Sequence, residues 1–154
     1  MPSDQWAATE RIPARVVLVE GMTLEGDLHL QPSTALHDTR ESPLEMLNRA
    51  EPFFPLSRYG GDLVFLAKAQ VVSLSYQAPA IQDPDRESAA LHIGLEVTMS
   101  GGAEFKGFAA TELPPNRSRA SDYLNSPERF FSVVVAETTV CLNRTHVRSA
   151  RPLS

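Results

Sequence analysis

"LNRAEPFF", residues 47–54, and "LNSPERFF", residues 124–131, state nearly the same phrase 77 positions apart. The correspondence extends on both sides. Upstream, "VVLVEGMTLEG" (16–26) aligns with "VTMSGGAEFKG" (97–107), which sets Gly21 against Gly102 and Gly26 against Gly107. Downstream, "VFLAKAQVVS" (64–73) aligns with "VCLNRTHVRS" (140–149). Three blocks matched in the same order predict one structural unit present twice, since self-similarity at a fixed spacing is the signature of repeat architecture.

Each unit has a local reading. "LHIGLEVTM" places Leu91, Ile93, Leu95, Val97 and Met99 on alternate positions, the mark of a half-buried strand. Ile12, Ala14, Val16 and Leu18 do the same in the first unit. Gly21 and Gly102 then stand where a tight hairpin needs positive φ. A second strand runs through Leu24, Leu28 and Leu30. Ser42, Pro43 and Glu45 spell a helix start: an N-cap, a first-turn proline and a capping-box glutamate. Asn48 and Asn125 are expected to end that turn in the left-handed conformation of a C-cap, with Leu47 and Leu124 as its core contacts. The pairs Phe53-Phe54 and Phe130-Phe131 open the next strand. Consecutive strand residues face opposite ways, so one Phe of each pair should enter the unit's core and the other lie under the helix or on the partner unit. Val64–Leu74 and Val140–Ala150 are expected to form a closing hairpin.

The inventory of about five short strands and one helical turn per unit predicts an all-β chain of two tandem, small five-stranded β-barrels. The predicted boundaries are a tail at 1–11, units at 12–76 and 92–151, and a linker at 77–91. "QAPAIQDPDRESAA" supplies prolines and charges suited to that joint.

Composition narrows the function classes. With 42% hydrophobic and 21% charged residues the chain reads as an ordinary globular protein, and no apolar run is long enough for membrane insertion. The N-terminus lacks the pattern of a secretory signal, so a cytoplasmic location is expected. A lone cysteine, Cys141, excludes an internal disulfide and a cysteine-based zinc site; it reads as a small buried hydrophobe. Net charge is −5, unevenly spread: residues 1–76 hold ten acidic and six basic side chains, whereas 92–154 hold six and seven.

The segments "EGMTLEGDL" (20–28) with "FLAKAQVVSL" (65–74), and "GGAEFKGFA" (101–109) with "CLNRTHVRSA" (141–150), resemble the Sm-like small β-barrel family of Sm proteins and Hfq. The resemblance implies a small-barrel architecture and a tendency to pair strand edges. The Arg-Gly-Asp-like turn of RNA-binding members is replaced by Ala67-Lys68-Ala69 and Asn143-Arg144-Thr145, so RNA binding does not transfer with the fold. "RIPAR" (11–15) is similar to the Arg-x-x-x-Arg element of cyclic di-GMP-binding PilZ domains, but the companion Asp/Asn-x-Ser-x-x-Gly element is absent.

No catalytic, cofactor or metal constellation stands out. His37, near Asp38 and Glu41, has no partner spacing for a metal site, and His29 and His92 fall on the polar phase of their strands. No nucleophile elbow or Gly-rich phosphate loop occurs. The remaining charge pattern is "NRTHVRSAR", in which Arg144, His146 and Arg148 are read as alternating along one strand, with Arg151 following; Arg117, Arg119 and Arg129 lie in the same unit. The expected function is a non-enzymatic protein-binding or scaffold module, acting through a protein partner or self-association. The alternative is an RNA- or anion-binding face built from Arg144, His146, Arg148 and Arg151.

Overall fold

The computed structural model describes residues 10–31, 41–77, 91–111 and 120–153. The tail 1–9, most of the 31–41 loop with His37, most of the 77–91 joint, and Arg117 and Arg119 lie outside them. Among the described residues ten strands and two short helices follow in order: β1 (Glu10–Leu18), β2 (Thr23–Leu30), α1 (Pro43–Asn48), β3 (Phe53–Arg58), β4 (Leu63–Ala67), β5 (Val71–Gln77), β6 (Leu91–Met99), β7 (Glu104–Thr111), α2 (Ala120–Leu124), β8 (Phe130–Val135), β9 (Thr138–Asn143) and β10 (Val147–Pro152). The chain is all-β in class.

The first strands form as their alternation predicts. Ala14 and Val16 are buried on β1, and Leu95, Val97 and Met99 on β6, with intermediate or exposed residues between them. Gly21 (φ +85°) and Gly102 (φ +100°) turn the chain into the second strand, a conformation a Cβ would strain. Gly26 on β2 and Gly107 on β7 serve another purpose. A Cβ on either would overlap the backbone carbonyl of the neighbouring strand, at Ser57 and Val134 respectively. Only glycine allows that approach.

The strands form one antiparallel sheet in the order β10-β6-β7-β8-β9-β5-β1-β2-β3-β4. Each half of the chain contributes its own strands as fifth, first, second, third, fourth. The bulge also recurs: β1 shifts register against β5 between Val17 and Leu18, and β10 shifts against β6 between Val147 and Ser149. The ten strands form one continuous open sheet. The expected closing hairpins do not form, because single 3-10 turns at Lys68–Gln70 and Arg144–His146 break the extended run. These turns redirect the chain, so β4 pairs with β3 while β5 crosses to β1 and takes β9 as its other neighbour.

Helix α1 starts as read. The Ser42 hydroxyl accepts a hydrogen bond from the Glu45 N–H, and Pro43 occupies the first turn. Its end departs from expectation. Neither Asn48 nor Asn125 is left-handed; among the described non-glycine residues only Glu20 and Ala136 have positive φ. The Asn48 side chain has a different task, described below.

Two cores result. One gathers Val16, Leu28, Leu47, Phe54, Leu56, Val71 and Leu74; the other gathers Leu95, Val97, Met99, Phe131, Val133 and Leu142. Leu47 is buried, and Leu124 is partly buried against the second core. His29, expected on the polar phase of its strand, is instead buried, with Nε2 2.7 Å from Ser57 Oγ.

Candidate functional site

The halves meet where β5 pairs with β9, in the register Ser73↔Leu142, Leu74↔Cys141, Ser75↔Val140, Tyr76↔Thr139 and Gln77↔Thr138. The seam is built from side chains as well as from the ladder. Phe130 and Cys141 come from the C-terminal half, yet both lie in the core of the N-terminal half. Strand alternation explains this: Phe131 faces its own core while Phe130, on the opposite face, fills the neighbour's. Burial in that apolar setting pushes the Cys141 thiol up to about 12.

Polar groups then lock the seam. Asn48 clasps the backbone of Phe130: its Oδ1 accepts the Phe130 N–H at 2.9 Å, and its Nδ2 donates to the Phe130 carbonyl at 3.2 Å. The same amide donates to the Glu128 carboxylate at 2.9 Å. Fully buried Asn143 donates from Nδ2 to the Val71 and Lys68 carbonyls at 3.0 and 3.3 Å. The His146 ring lies 2.8 Å from the Ala69 carbonyl across the seam.

The basic residues of the sequence motif are occupied by such contacts. Arg144 does not lie on a strand; it opens a 3-10 turn that continues through His146, so the alternation read for Arg144, His146 and Arg148 is interrupted there. Its guanidinium donates to the carbonyls of Tyr123, Leu124, Glu128 and Phe130 and stacks over the Phe131 ring at 4.9 Å. Burial lowers its pKa. Lys68, at the corresponding place in the N-terminal half, donates to the Met46 and Arg49 carbonyls and is likewise lowered by burial. Each cation thus satisfies carbonyls left open at the end of a short helix. Arg148 donates to the Ser100 carbonyl at 2.7 Å, and Arg151 pairs with Glu96 at 2.8 Å.

The outer edges of the sheet, β4 and β10, contrast with the seam. Phe53 is 54% exposed, whereas Phe130 at the matching position is 1% exposed. Phe65 is 55% exposed, whereas Cys141 is fully buried. Leu63 joins them on the same face of the β3–β4 ribbon, since Phe53 lies opposite Ala67 and every second residue of β4 points the same way. At the other edge Val147 and Ala150 are only partly buried, while their counterparts Val71 and Leu74 on β5 are fully buried. Sequence reasoning did not single out Phe65, Leu63 or Asn143. The only available signal was the mismatch between aligned positions, Phe65 against Cys141 and Ala67 against Asn143.

A cleft of about 550 Å³ lies between the halves, and Val17, Leu18, Val72, Met99, Ser100 and His146 are among the residues that line it. Among the described residues no cluster of His, Cys, Asp or Glu could hold a metal ion, and no helix is long and apolar enough to cross a membrane. Comparison with family models, with curated proteins and with solved structures finds no match to this chain.

Proposed function

We propose that this chain is a non-enzymatic protein-binding or scaffold module, built from a duplicated small β-barrel unit of Sm-like type and acting through the outer edges of its sheet. The observation that carries this reading is the apolar ribbon of Phe53, Leu63 and Phe65, exposed beside a strand edge that no other described strand pairs with. An edge strand offers a row of backbone donors and acceptors to an incoming strand, and the aromatic face beside it supplies apolar area to bury. The same two ingredients already hold β9 on β5 within the chain. An anion- or nucleic-acid-binding role for Arg144, His146, Arg148 and Arg151 has less in its favour, since the Arg144 guanidinium is committed to four backbone carbonyls.

Native mass spectrometry of the chain isolated from its own cells tests the reading. The expected result is association with another polypeptide, identical or different, that is lost on Phe65→Lys. A chain that carries no polypeptide at all would overturn it.

A further inference from the structure

We propose that the cleft between the halves is a binding site for a small organic cation, an amine carried on an apolar body. The site uses none of the ribbon residues Phe53, Leu63 and Phe65, so it stands independently of the strand-edge reading. Its volume of about 550 Å³ falls within the range of roughly 300–1,000 Å³ usual for small-molecule sites. The cleft lies where a bulge in β5 meets the first turns of both halves. Val17 pairs with Ser73 and Leu18 with Val71, so Val72 is the extra residue of that bulge. A bulge re-aims its side chain. Val72 belongs to the N-terminal half, yet it packs against the core of the C-terminal half. Val17, Leu18 and Met99 extend the apolar lining around it.

Glu20 joins that lining from the turn between β1 and β2. Its carboxylate makes no ion pair or hydrogen bond with any described residue. Its backbone stands at φ 68°, ψ 12°, a left-handed conformation that favours glycine. The repeated unit can turn without placing a side chain there. The aligned residue of the other half is Gly101, and in that turn only Gly102 has positive φ. Strain of this kind gathers at binding sites, where the side chain's position matters more than its backbone cost. A glutamate held in a strained turn beside an apolar cleft, with no partner inside the chain, is set to meet a cation from outside it.

The other polar groups agree in sign. His146 lines the same cleft, and its Nε2 lies 2.8 Å from the Ala69 carbonyl. A carbonyl only accepts, so Nε2 carries the hydrogen and the neutral ring offers Nδ1 as a further acceptor. Nearby donors are engaged within the chain. The Ser100 hydroxyl and N–H both donate to the His146 carbonyl, at 3.0 and 2.8 Å. Arg148, the extra residue of the matching bulge in β10, donates to the Ser100 carbonyl at 2.7 Å. Among the described residues no lysine or arginine lines the cleft. An ammonium group supplies the donors that these acceptors lack, and an apolar body covers Val17, Val72 and Met99. An anion would instead meet the Glu20 carboxylate.

Nuclear magnetic resonance titration of the full chain with phenethylamine, its neutral isostere phenethyl alcohol and the anion phenylacetate tests this. The amine should bind saturably and shift the backbone amides of Val17, Val72 and Met99. It should bind roughly tenfold more tightly than the alcohol or the acid, the scale of one charge-assisted hydrogen bond. Glu20→Gln should bring the amine and the alcohol within about twofold of each other. Ala103→Trp, at an exposed residue of the lining, should block both. Glu20→Gly should raise the melting temperature of the free chain by relaxing the turn, and should abolish the preference for the amine. Absence of saturable amine binding, tighter binding of phenylacetate, an amine preference that survives Glu20→Gln, or a lower melting temperature on Glu20→Gly would each overturn the proposal. None of these results bears on the association tested by Phe65→Lys.

Discussion

Replacing Asn48 by alanine should destabilise the chain far more than the same change at Asn125, although the two occupy matching places in the repeated phrase. The Asn48 amide makes two part-buried hydrogen bonds to the Phe130 backbone, at 2.9 and 3.2 Å, and these hold the start of β8 against the N-terminal half. A hydrogen bond of this kind contributes about 1 kcal/mol net, and the stranded backbone partner adds a desolvation penalty, so the loss comes to about 2–3 kcal/mol. For a chain of this size that is a fall in melting temperature of roughly 4–12 °C. Asn125 makes one exposed bond to its own helix, and its replacement should cost no more than about 0.5 kcal/mol. Asn48→Asp sharpens the comparison. The aspartate keeps an acceptor for the Phe130 N–H but sets a carboxylate beside the Phe130 carbonyl and Glu128. It should therefore be worse than alanine at neutral pH and recover in mild acid, where protonation restores a donor. Urea titration at one fixed chain concentration measures all three. Equal losses at Asn48 and Asn125, or a loss at Asn48 under about 0.5 kcal/mol, would refute the account of the seam.

Phe130→Ala should cost about 3–5 kcal/mol in urea titration, because it empties a site in the core of the opposite half, while Phe53→Ala in the dilute chain should stay within about 0.5 kcal/mol. Gly26→Ala and Gly107→Ala should each sharply lower soluble yield and melting temperature, since the added Cβ meets a backbone carbonyl that cannot move aside. Stability should fall as pH rises above about 9. The thiol of Cys141, ordinarily near 9.0, and the phenol of Tyr76, ordinarily near 10.0, are both raised to about 12 by burial. The unfolded chain therefore loses those protons first, and melting curves between pH 8 and 11 follow the decline. Over the same range a thiol reagent should leave Cys141 unmodified until denaturant is added.

Much of the local structure could be read from residue order alone, because its causes are local. Alternation placed Val16, Val97 and their neighbours on strands, and Ser42-Pro43 placed the start of α1. Gly21 and Gly102 marked turns, and Cys141 was correctly read as buried, whereas the close approach at Gly26 and Gly107 showed only in the fold. What could not be read depended on which distant strand lies alongside. The closing hairpins gave way to 3-10 turns, and β5 found its second partner in β9 of the other half. That one pairing separates residues that match in sequence. It buries Phe130 and leaves Phe53 in solvent, and it puts Asn48 on a backbone where Asn125 turns to its own helix. The guanidinium of Arg144 likewise went to backbone carbonyls that only the folded chain brings within reach. Sequence by itself determined the strands, turns and paired phrase of each half, since those follow from neighbouring residues. Tertiary structure alone decided which edge is filled and which is open, since a strand's outer hydrogen bonds are set by whatever chain lies beside it.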